Sequence, residues 1–421
     1  MTIVYFILIL GITVFIHELG HFLCAKKFGV YVYEFSIGMG PRLFKFNRKG
    51  DETDYCIRLF PIGGFVQMAG EEIDVDEKIP EGKRLQAKPA FQRFLIMVAG
   101  VMMNFLLAIV ILFFIGLFNK VTLNNVYVAQ STVSGLDDGS KIVAINNNFV
   151  NNYDKLSLEL IVAGKKNFTM TVKDANGVKK DVSITPIEVG KSNLIYGNDY
   201  GFDIEAGLKV ANSKVNGLDD GVTIVEINGK VIDEYHELLI ELNNIKDKNF
   251  TMKIKDDANV TKDIVINVSS KDKDQLTGYS YGFYLTGNEE SGFFAAIKYS
   301  FLKFFSSIEQ MIFTVFYLII GKISLSMLSG PVGIFNAVSV YSSYGFTSLL
   351  SLLALICINV GFVNLIPFPA FDGGHVLFIV IEKIKGSRVN PKTEAIIHNI
   401  GFIILMILMV LVTYSDIVKL F

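Results

Sequence analysis

The first 24 residues, Met1 to Cys24, carry one charged side chain, and it sits beside one histidine and close to another: His17-Glu18-Leu19-Gly20-His21. A run of this length can cross a bilayer, and there it must be helical, because a helix satisfies its own backbone N–H and C=O groups. Ionisable groups at such depth are costly, so a functional reason for them is the default. On a helix, histidines four apart share one face and can hold one metal. The adjacent glutamate is then placed to take a proton from water activated by that metal. The competing reading is a chance HExxH whose histidines are hydrogen-bonded within a helical bundle.

The rest of the chain fits a mixed membrane and soluble architecture. Of its 421 residues, 51% are hydrophobic, and the mean hydropathy is +0.44. A net charge of −2 gives no bulk attraction to nucleic acid. The three cysteines, Cys24, Cys56 and Cys357, are too scattered for a disulfide framework or a CxxC metal site. The N-terminal run lacks a basic start and carries HExxH, so it does not read as a signal peptide. Further spans are expected over roughly Phe94 to Phe118, Gly345 to Ile366 and Ile396 to Val412. Phe293 to Leu328 is apolar but interrupted by Lys298, Lys303, Glu309 and Lys322, and reads as amphipathic helix lying on the membrane surface or packed on the bundle. The basic loops, with Lys26, Lys27, Arg42, Lys45, Arg48 and Lys49 in one and Lys383, Lys385, Arg388 and Lys392 in the other, belong in the cytoplasm. Four spans put both loops there, with both termini and the middle region outside.

The middle region, about Lys120 to Gly292, repeats itself. Ser134-Gly-Leu-Asp-Asp-Gly139 returns as Asn216-Gly-Leu-Asp-Asp-Gly221, Asn167-Phe-Thr-Met170 as Asn249-Phe-Thr-Met252, and Tyr200-Gly-Phe202 as Tyr281-Gly-Phe283. Two copies are too few for a solenoid and read as two small domains in tandem. Each has short strands, a helix (Tyr153 to Val162; Tyr235 to Leu242) and alternating strands such as Phe250 to Lys255.

Two histidines leave a catalytic zinc short of the usual three protein ligands. The candidate third is Asp372, in Asn364-Leu-Ile-Pro-Phe-Pro-Ala-Phe-Asp-Gly-Gly-His375, after the uncharged run Ser348 to Ile366. Pro367, Pro369, Gly373 and Gly374 break the helix there, which is tolerated at depth only inside protein or around a cavity. Asp372 and His21 both lie shortly before basic segments assigned to the same face. The other use of such an aspartate is to cap a helix.

These paired motifs resemble those of the site-2 proteases, closely the bacterial branch that cuts anti-sigma factors and carries tandem PDZ domains, over nearly the whole chain. His17, Glu18 and His21 match the family's HExxH, and Asp372 matches the aspartate of NxxPxPxxDG. Phe35-Ser-Ile-Gly-Met-Gly-Pro41 is similar to its membrane re-entrant hairpin with a GxG loop. Phe60-Pro-Ile-Gly-Gly-Phe65 is similar to its strand end, with Phe65 in place of Tyr. Ser329-Gly-Pro-Val-Gly-Ile334 matches a family segment, and Asn104 fits its second span, with Val101 replacing the usual Pro. The repeated GLDDG…IVxINxxxV pattern resembles a PDZ domain, although Gly139-Ser140 and Gly221-Val222 stand where that family usually has Gly-Asp.

The resemblance implies a multi-pass α-helical membrane protein with four transmembrane helices, a re-entrant β-hairpin and an inserted pair of PDZ-like α+β domains. The boundaries are 1–118 for the first half of the membrane core, 120–199 and 200–286 for the PDZ-like domains, 293–328 for surface helices and 329–421 for the second half. It implies an intramembrane endopeptidase with one zinc per chain, held by His17, His21 and Asp372, and Glu18 as its catalytic acid–base. Its substrates would be membrane-spanning proteins already trimmed on the outer side, such as anti-sigma factors or signal-peptide remnants. It implies the bacterial inner membrane, with the PDZ region extracytoplasmic and the active site near the cytoplasmic face.

A transmembrane helix must be unwound to be cut, because its carbonyls are hydrogen-bonded and shielded. A hairpin edge at Ile37 to Pro41, including Gly38, Met39 and Gly40, is expected to add the unwound segment as a strand. Asn364 and Asn359 are expected to bind the same backbone, interhelical packing being their other use. His375 is not needed as a ligand, and His236 and His398 lie outside both motifs. The rivals are a non-catalytic membrane PDZ scaffold with a decayed metal site, against which the intact motif argues, and a metal transporter, which needs a polar path the spans do not supply.

Overall fold

The computed structural model describes residues 1–70, 78–123, 126–131, 133–164, 166–189, 203–205, 208–211, 213, 215, 217–233, 238, 241, 249–267, 278–280, 283–287 and 289–418. It divides into two compact units, one formed by Met1–Leu123 with Glu289–Leu420, the other by Asn124–Asn288. The helices among the described residues are α1 Thr2–Lys27, α2 Ala90–Phe118, α3 Tyr153–Ala163, α4 Phe293–Ile319, α5 Pro331–Ser343, α6 Phe346–Leu365, α7 Asp372–Lys385 and α8 Pro391–Val418.

Five of these, α1, α2, α4, α6 and α8, are long and apolar enough to cross a membrane. Helices α1 and α2 run antiparallel: His21 bonds to Ile96 and His17 lies beside Asn104. Helix α6 runs parallel to α1, with Thr13 Oγ1 3.5 Å from Cys357 Sγ and Asp372 reached below it. The 293–328 segment, expected as amphipathic helix on the membrane surface or packed on the bundle, is headed by one unbroken helix, α4, which contains neither Gly nor Pro. It descends antiparallel to α2, with Phe293 against Phe113 and Phe304 against Phe105. Its small face, including Ala295, Ala296 and Ser300, is buried, and Ala296 lies at Gly116 of α2, as expected where apolar helices approach closely. The chain then returns to the end from which α4 started. There Phe335 of α5 meets Phe6 near the start of α1. Asp416, near the end of α8, accepts from Gly330 N–H at 2.7 Å and Gly333 N–H at 2.8 Å.

Between α1 and α2 lie two long strands, β1 Val32–Asn47 and β2 Asp54–Met68. Both bend, so each supplies two lanes of one sheet. Ile37 pairs with Ile57 on one side and Gly64 on the other, while Phe44 also pairs with Ile57. The lanes are ordered 42–47, 54–58, 34–37, 64–68. Buried Glu34 ties three of them together, accepting from Arg42 at 2.5 Å and Arg58 at 2.6 Å. Of the expected edge at Ile37 to Pro41, Ile37 is enclosed on both sides and Met39 pairs with Phe60 alone, and the outer lanes of the sheet are 42–47 and 64–68. Gly38 and Gly40 have φ of +86° and +84° and form the bend of β1. A Cβ on Gly38 would lie 2.5 Å from Phe60 O, so the bend also needs its small size.

The second unit holds two sheets of the same design. In one, Phe168, Met170 and Val172 are buried and Thr169 and Lys173 exposed. In the other, Phe250, Met252 and Ile254 take the buried places, the period-2 pattern of half-buried strands. The repeat extends to single hydrogen bonds. Asp138 Oδ1 accepts from Ser131 N–H as Asp220 Oδ1 does from Ser213 N–H. Asn146 Oδ1 accepts from Thr169 N–H as Asn228 Oδ1 does from Thr251 N–H. The two domains are nested rather than in tandem. Phe283–Thr286 pairs with Tyr127–Ser131 in the first sheet, and Gly278–Ser280 pairs with Ile187–Val189. The expected assignment of 283–286 to the second domain is corrected accordingly. The Tyr235 to Leu242 helix (Leu238 and Glu241 excepted), His236 and the Tyr200-Gly-Phe202 motif lie outside the described residues.

Candidate metal centre

His17 and His21 are buried on one face of α1, and α2 meets them with backbone at Ile96 and Gly100 and with the Asn104 side chain. Gly100 is the contact: a Cβ there would land on His21 Nε2 and lie 2.9 Å from His17 Cε1. Gly20 likewise has no room for a Cβ beside Ala99 O. These two glycines let the helices close to a distance that pins both imidazoles.

Asp372 arrives from the far end of the chain, as the first residue of α7. The loop before it folds tightly, with Phe368 N–H on Ile366 O at 2.7 Å and Phe371 N–H on Phe368 O at 3.1 Å. Gly373 and Gly374 pack on that loop, where a Cβ would meet Leu365 O at 2.5 Å and Phe368 O at 2.6 Å. Three atoms converge as a result. His17 Nε2 and His21 Nε2 are 3.2 Å apart, and Asp372 Oδ2 is 3.1 Å from the first and 3.2 Å from the second.

This triangle fits a zinc ion. Tetrahedral ligands at about 2.0–2.1 Å from zinc stand about 3.3 Å from one another, close to the observed separations. Asp372 Oδ2 is buried and makes no well-formed hydrogen bond, although two imidazole nitrogens face it, an arrangement that a shared cation satisfies. His21 Nδ1 donates to Ile96 O at 2.8 Å, which leaves the Nε2 lone pair for a metal. Asn104 lies 3.4 Å from His17 Nδ1, and its Oδ1 is buried without a partner. Turning that amide would let Oδ1 accept from His17 Nδ1–H and orient the second ligand in the same way. Three protein ligands leave one position for water or substrate.

Glu18 is half-buried, within electrostatic reach of His21, His17 and Asp372, and its Cγ would lie 3.5 Å from a Cβ on Gly64 in the outer lane of β2. Asn364 is half-buried and Asn359 exposed near the end of α6. Neither makes a hydrogen bond among the described residues, and five helical residues set them about 140° apart. Met39 is exposed and rests on Gly63.

A second group of candidate ligands, His375, Glu394 and His398, lies on α7 and α8. His398 Nδ1 accepts the Ala370 N–H at 3.2 Å, so the proton of neutral His398 is on Nε2 and that nitrogen is no ligand. Two residues beside the centre were given no role from the sequence: Gly100, and His398, which was set aside as lying outside both motifs. The available signals were a glycine within an apolar span and an ionisable group within another.

The sequence profile of peptidase family M50 matches residues 5–408. A protein named as a zinc metalloprotease in Fusobacterium nucleatum is 32% identical over 423 residues, covering all of both chains. The regulator of sigma-W protease RasP of Bacillus subtilis is 30% identical over 450 residues, covering 100% of this chain and 99% of the relative. Protease RseP of Yersinia pestis is 28% identical over 440 residues, covering 98% and 97%. With a histidine pair and an aspartate closing on one point between apolar helices, and a family match over nearly its whole length, the chain belongs to peptidase family M50, the site-2 zinc metalloproteases.

Proposed function

We propose that this protein hydrolyses peptide bonds within the transmembrane segments of single-span proteins, with His17, His21 and Asp372 as the ligands of one zinc and Glu18 as the acid–base. The observation that carries this is the near-equilateral triangle of His17 Nε2, His21 Nε2 and Asp372 Oδ2 with Glu18 beside it. Zinc, when bound, supplies a Lewis acid that makes water acidic near neutral pH and polarises a carbonyl. Glu18 accepts the proton of the attacking water on its carboxylate and returns it to the leaving amine.

The unwound substrate needs partners for its freed backbone groups. The outer lane Gly64–Met68, whose first residue packs against Glu18, is the edge on which it adds as a strand. Asn364, unpaired at the end of α6, supplies a further hydrogen bond, with Asn359 placed to meet a segment on the exposed face of that helix. Gly38, Met39 and Gly40 act on substrate through the bend they build and the exposed Met39 side chain.

The chain crosses the bacterial inner membrane four times, through α1, α2, α6 and α8. This count is supported by the return of the chain after α4 to the end from which α4 began. The basic loops then lie in the cytoplasm and the 124–288 unit outside, as a nested pair of PDZ-like domains. The name of the Bacillus relative, regulator of sigma-W protease, supports anti-sigma factors as a substrate class, and prior shortening of the substrate on the outer side is part of the same proposal. The test is direct. Purified protein in detergent is expected to hold one zinc per chain and to cut a single-span peptide. Metal-free chains or an uncut peptide would refute the reading.

A further inference from the structure

Asp372 is the one candidate ligand that must be brought to the other two by tertiary structure, and the segment before it is under strain. Ala370 has φ +96°, a region that residues with a Cβ avoid. Such a backbone persists only where its surroundings hold it, and here the hold comes from α8. His398 Nδ1 accepts the Ala370 N–H at 3.2 Å. One turn further along α8, Gly401 lies directly under Pro369, where a Cβ would meet Pro369 O and lie 2.6 Å from Pro369 Cβ. Beyond Asp372, the His375 ring stacks on His398 with centroids 4.0 Å apart and planes at 19°. His375 Nδ1 also faces Glu394 Oε1, one turn before His398, at 3.3 Å. Helix α8 therefore grips the chain on both sides of Asp372, and among the described residues it makes no hydrogen bond or ion pair to His17, His21 or Asp372.

We propose that His398 is a positioning residue for the metal centre: by accepting the Ala370 N–H it fixes the strained 366–371 loop and so sets Asp372 Oδ2 against His17 and His21. The inference rests on Asp372 being a zinc ligand. It assigns α8, which carries none of the protein's recognisable motifs, the task of completing the site. The required chemistry is narrow. A hydrogen-bond acceptor must stand at the Nδ1 position. Asparagine can place Oδ1 near there, whereas alanine and leucine offer nothing. The strain also predicts its own remedy: glycine at 370 takes φ +96° freely and should need the latch less.

The experiment measures zinc retention of purified full-length protein dialysed against a chelator, alongside thermal unfolding. The variants are His398→Ala, His398→Asn, Ala370→Gly and the double variant His398→Ala with Ala370→Gly, with Asp372→Ala as the control. His398→Ala is expected to weaken zinc binding about tenfold, in the range typical of groups that orient ligands. His398→Asn should retain wild-type zinc, and the double variant should recover most of what His398→Ala loses. Equal behaviour of the Asn and Ala variants, or no recovery in the double variant, overturns the proposal, even if His398→Ala alone folds poorly. Full zinc in Asp372→Ala would instead overturn the ligand assignment beneath it. Loss of zinc in Asp372→Ala with none in His398→Ala would leave that assignment standing and remove the role of His398.

Discussion

Glu18 and Asp372 are both carboxylates at one buried centre, and their surroundings give them different work. Asp372 points an oxygen at two imidazole nitrogens, 3.1 and 3.2 Å away, whereas Glu18 points toward the outer lane of β2. Glu18→Gln removes a proton acceptor and no ligand. It should lower peptide cleavage by about 10²–10⁴-fold, the usual worth of general acid–base catalysis, while zinc content stays at the wild-type level. Metal analysis and a cleavage assay on one preparation decide it, and wild-type activity would remove Glu18 from the mechanism. Asp372→Ala should lose both metal and activity, because two histidines make an incomplete site. Gly100→Ala should be nearly as damaging, since the added methyl falls on His21 Nε2. Zinc content again reads this out, and full zinc in the Gly100→Ala variant would show that α2 can move aside. The sequence singled out His17, His21 and Asp372, which the fold brings together, and Glu18 beside them, because metal-ligand and proton-transfer chemistry restrict residue type. It hid Gly100 and His398 because their parts arise only from how closely α2 and α8 approach, and nothing in one helix records its distance from another.

At the level of the element, a re-entrant hairpin and a strand end were expected here from resemblance, and the doubling of β1 and β2 into four lanes was not. Alternation and glycines mark where a chain extends and bends. Which lane lies outermost depends on pairings between residues such as Ile37, Ile57 and Gly64, and these follow from the bends at both Gly38–Gly40 and Phe60–Gly63 together. The far turn of this sheet is tied to the end of α1. Asp51 accepts from Lys26 Nζ at 2.6 Å, from Tyr55 OH at 2.8 Å and from Thr53 N–H at 3.1 Å. The Lys26 hydrogen bond above all, with Tyr55 and Thr53 adding to it against an opposing effect of burial, holds the Asp51 carboxyl well below the usual carboxylate range. Asp54 is held low by Lys45 and Asn47. A depressed folded-state pKa stabilises above the unfolded value, about 3.9, and that stability is lost as pH falls toward the folded value. The turn should therefore be tight at pH 7 and loosen progressively below about pH 4. Hydrogen-exchange protection factors for residues 48–55 are the measurement. Asp51→Asn should lower protection at pH 7 and flatten its pH dependence, and a wild-type turn equally protected at pH 7 and pH 3 would contradict the account.

For the whole molecule, the repeat announced two similar domains, yet only the folded chain reveals that one is nested in the other. The returning strand Phe283–Thr286 pairs with Tyr127–Ser131 across most of the insert, and so distant a pairing leaves no local mark in either strand. The same topology makes the insert separable. Val121 pairs with Glu290 and Thr122 with Glu289, so the chain leaves and re-enters the membrane core through two strands held side by side. A turn of about four flexible residues can bridge strands so placed. Replacing 124–288 by such a turn should leave the first unit folded, because the metal centre and the helices that pack around it lie wholly within Met1–Leu123 and Glu289–Leu420. The insert contains no grouping of potential metal ligands among its described residues, so its contribution is expected in substrate choice rather than in chemistry. The shortened enzyme should keep one zinc and cut a short single-span peptide at a rate within a few-fold of the full chain. It should also begin to cut substrates with intact bulky outer domains, which the full chain is expected to spare. Matched long and short versions of one substrate, given to both proteins, separate the possibilities. Selectivity for the short version that survives removal of 124–288 would locate discrimination in the membrane core, and the edge Gly64–Met68 with Asn364 would then be the place to seek it.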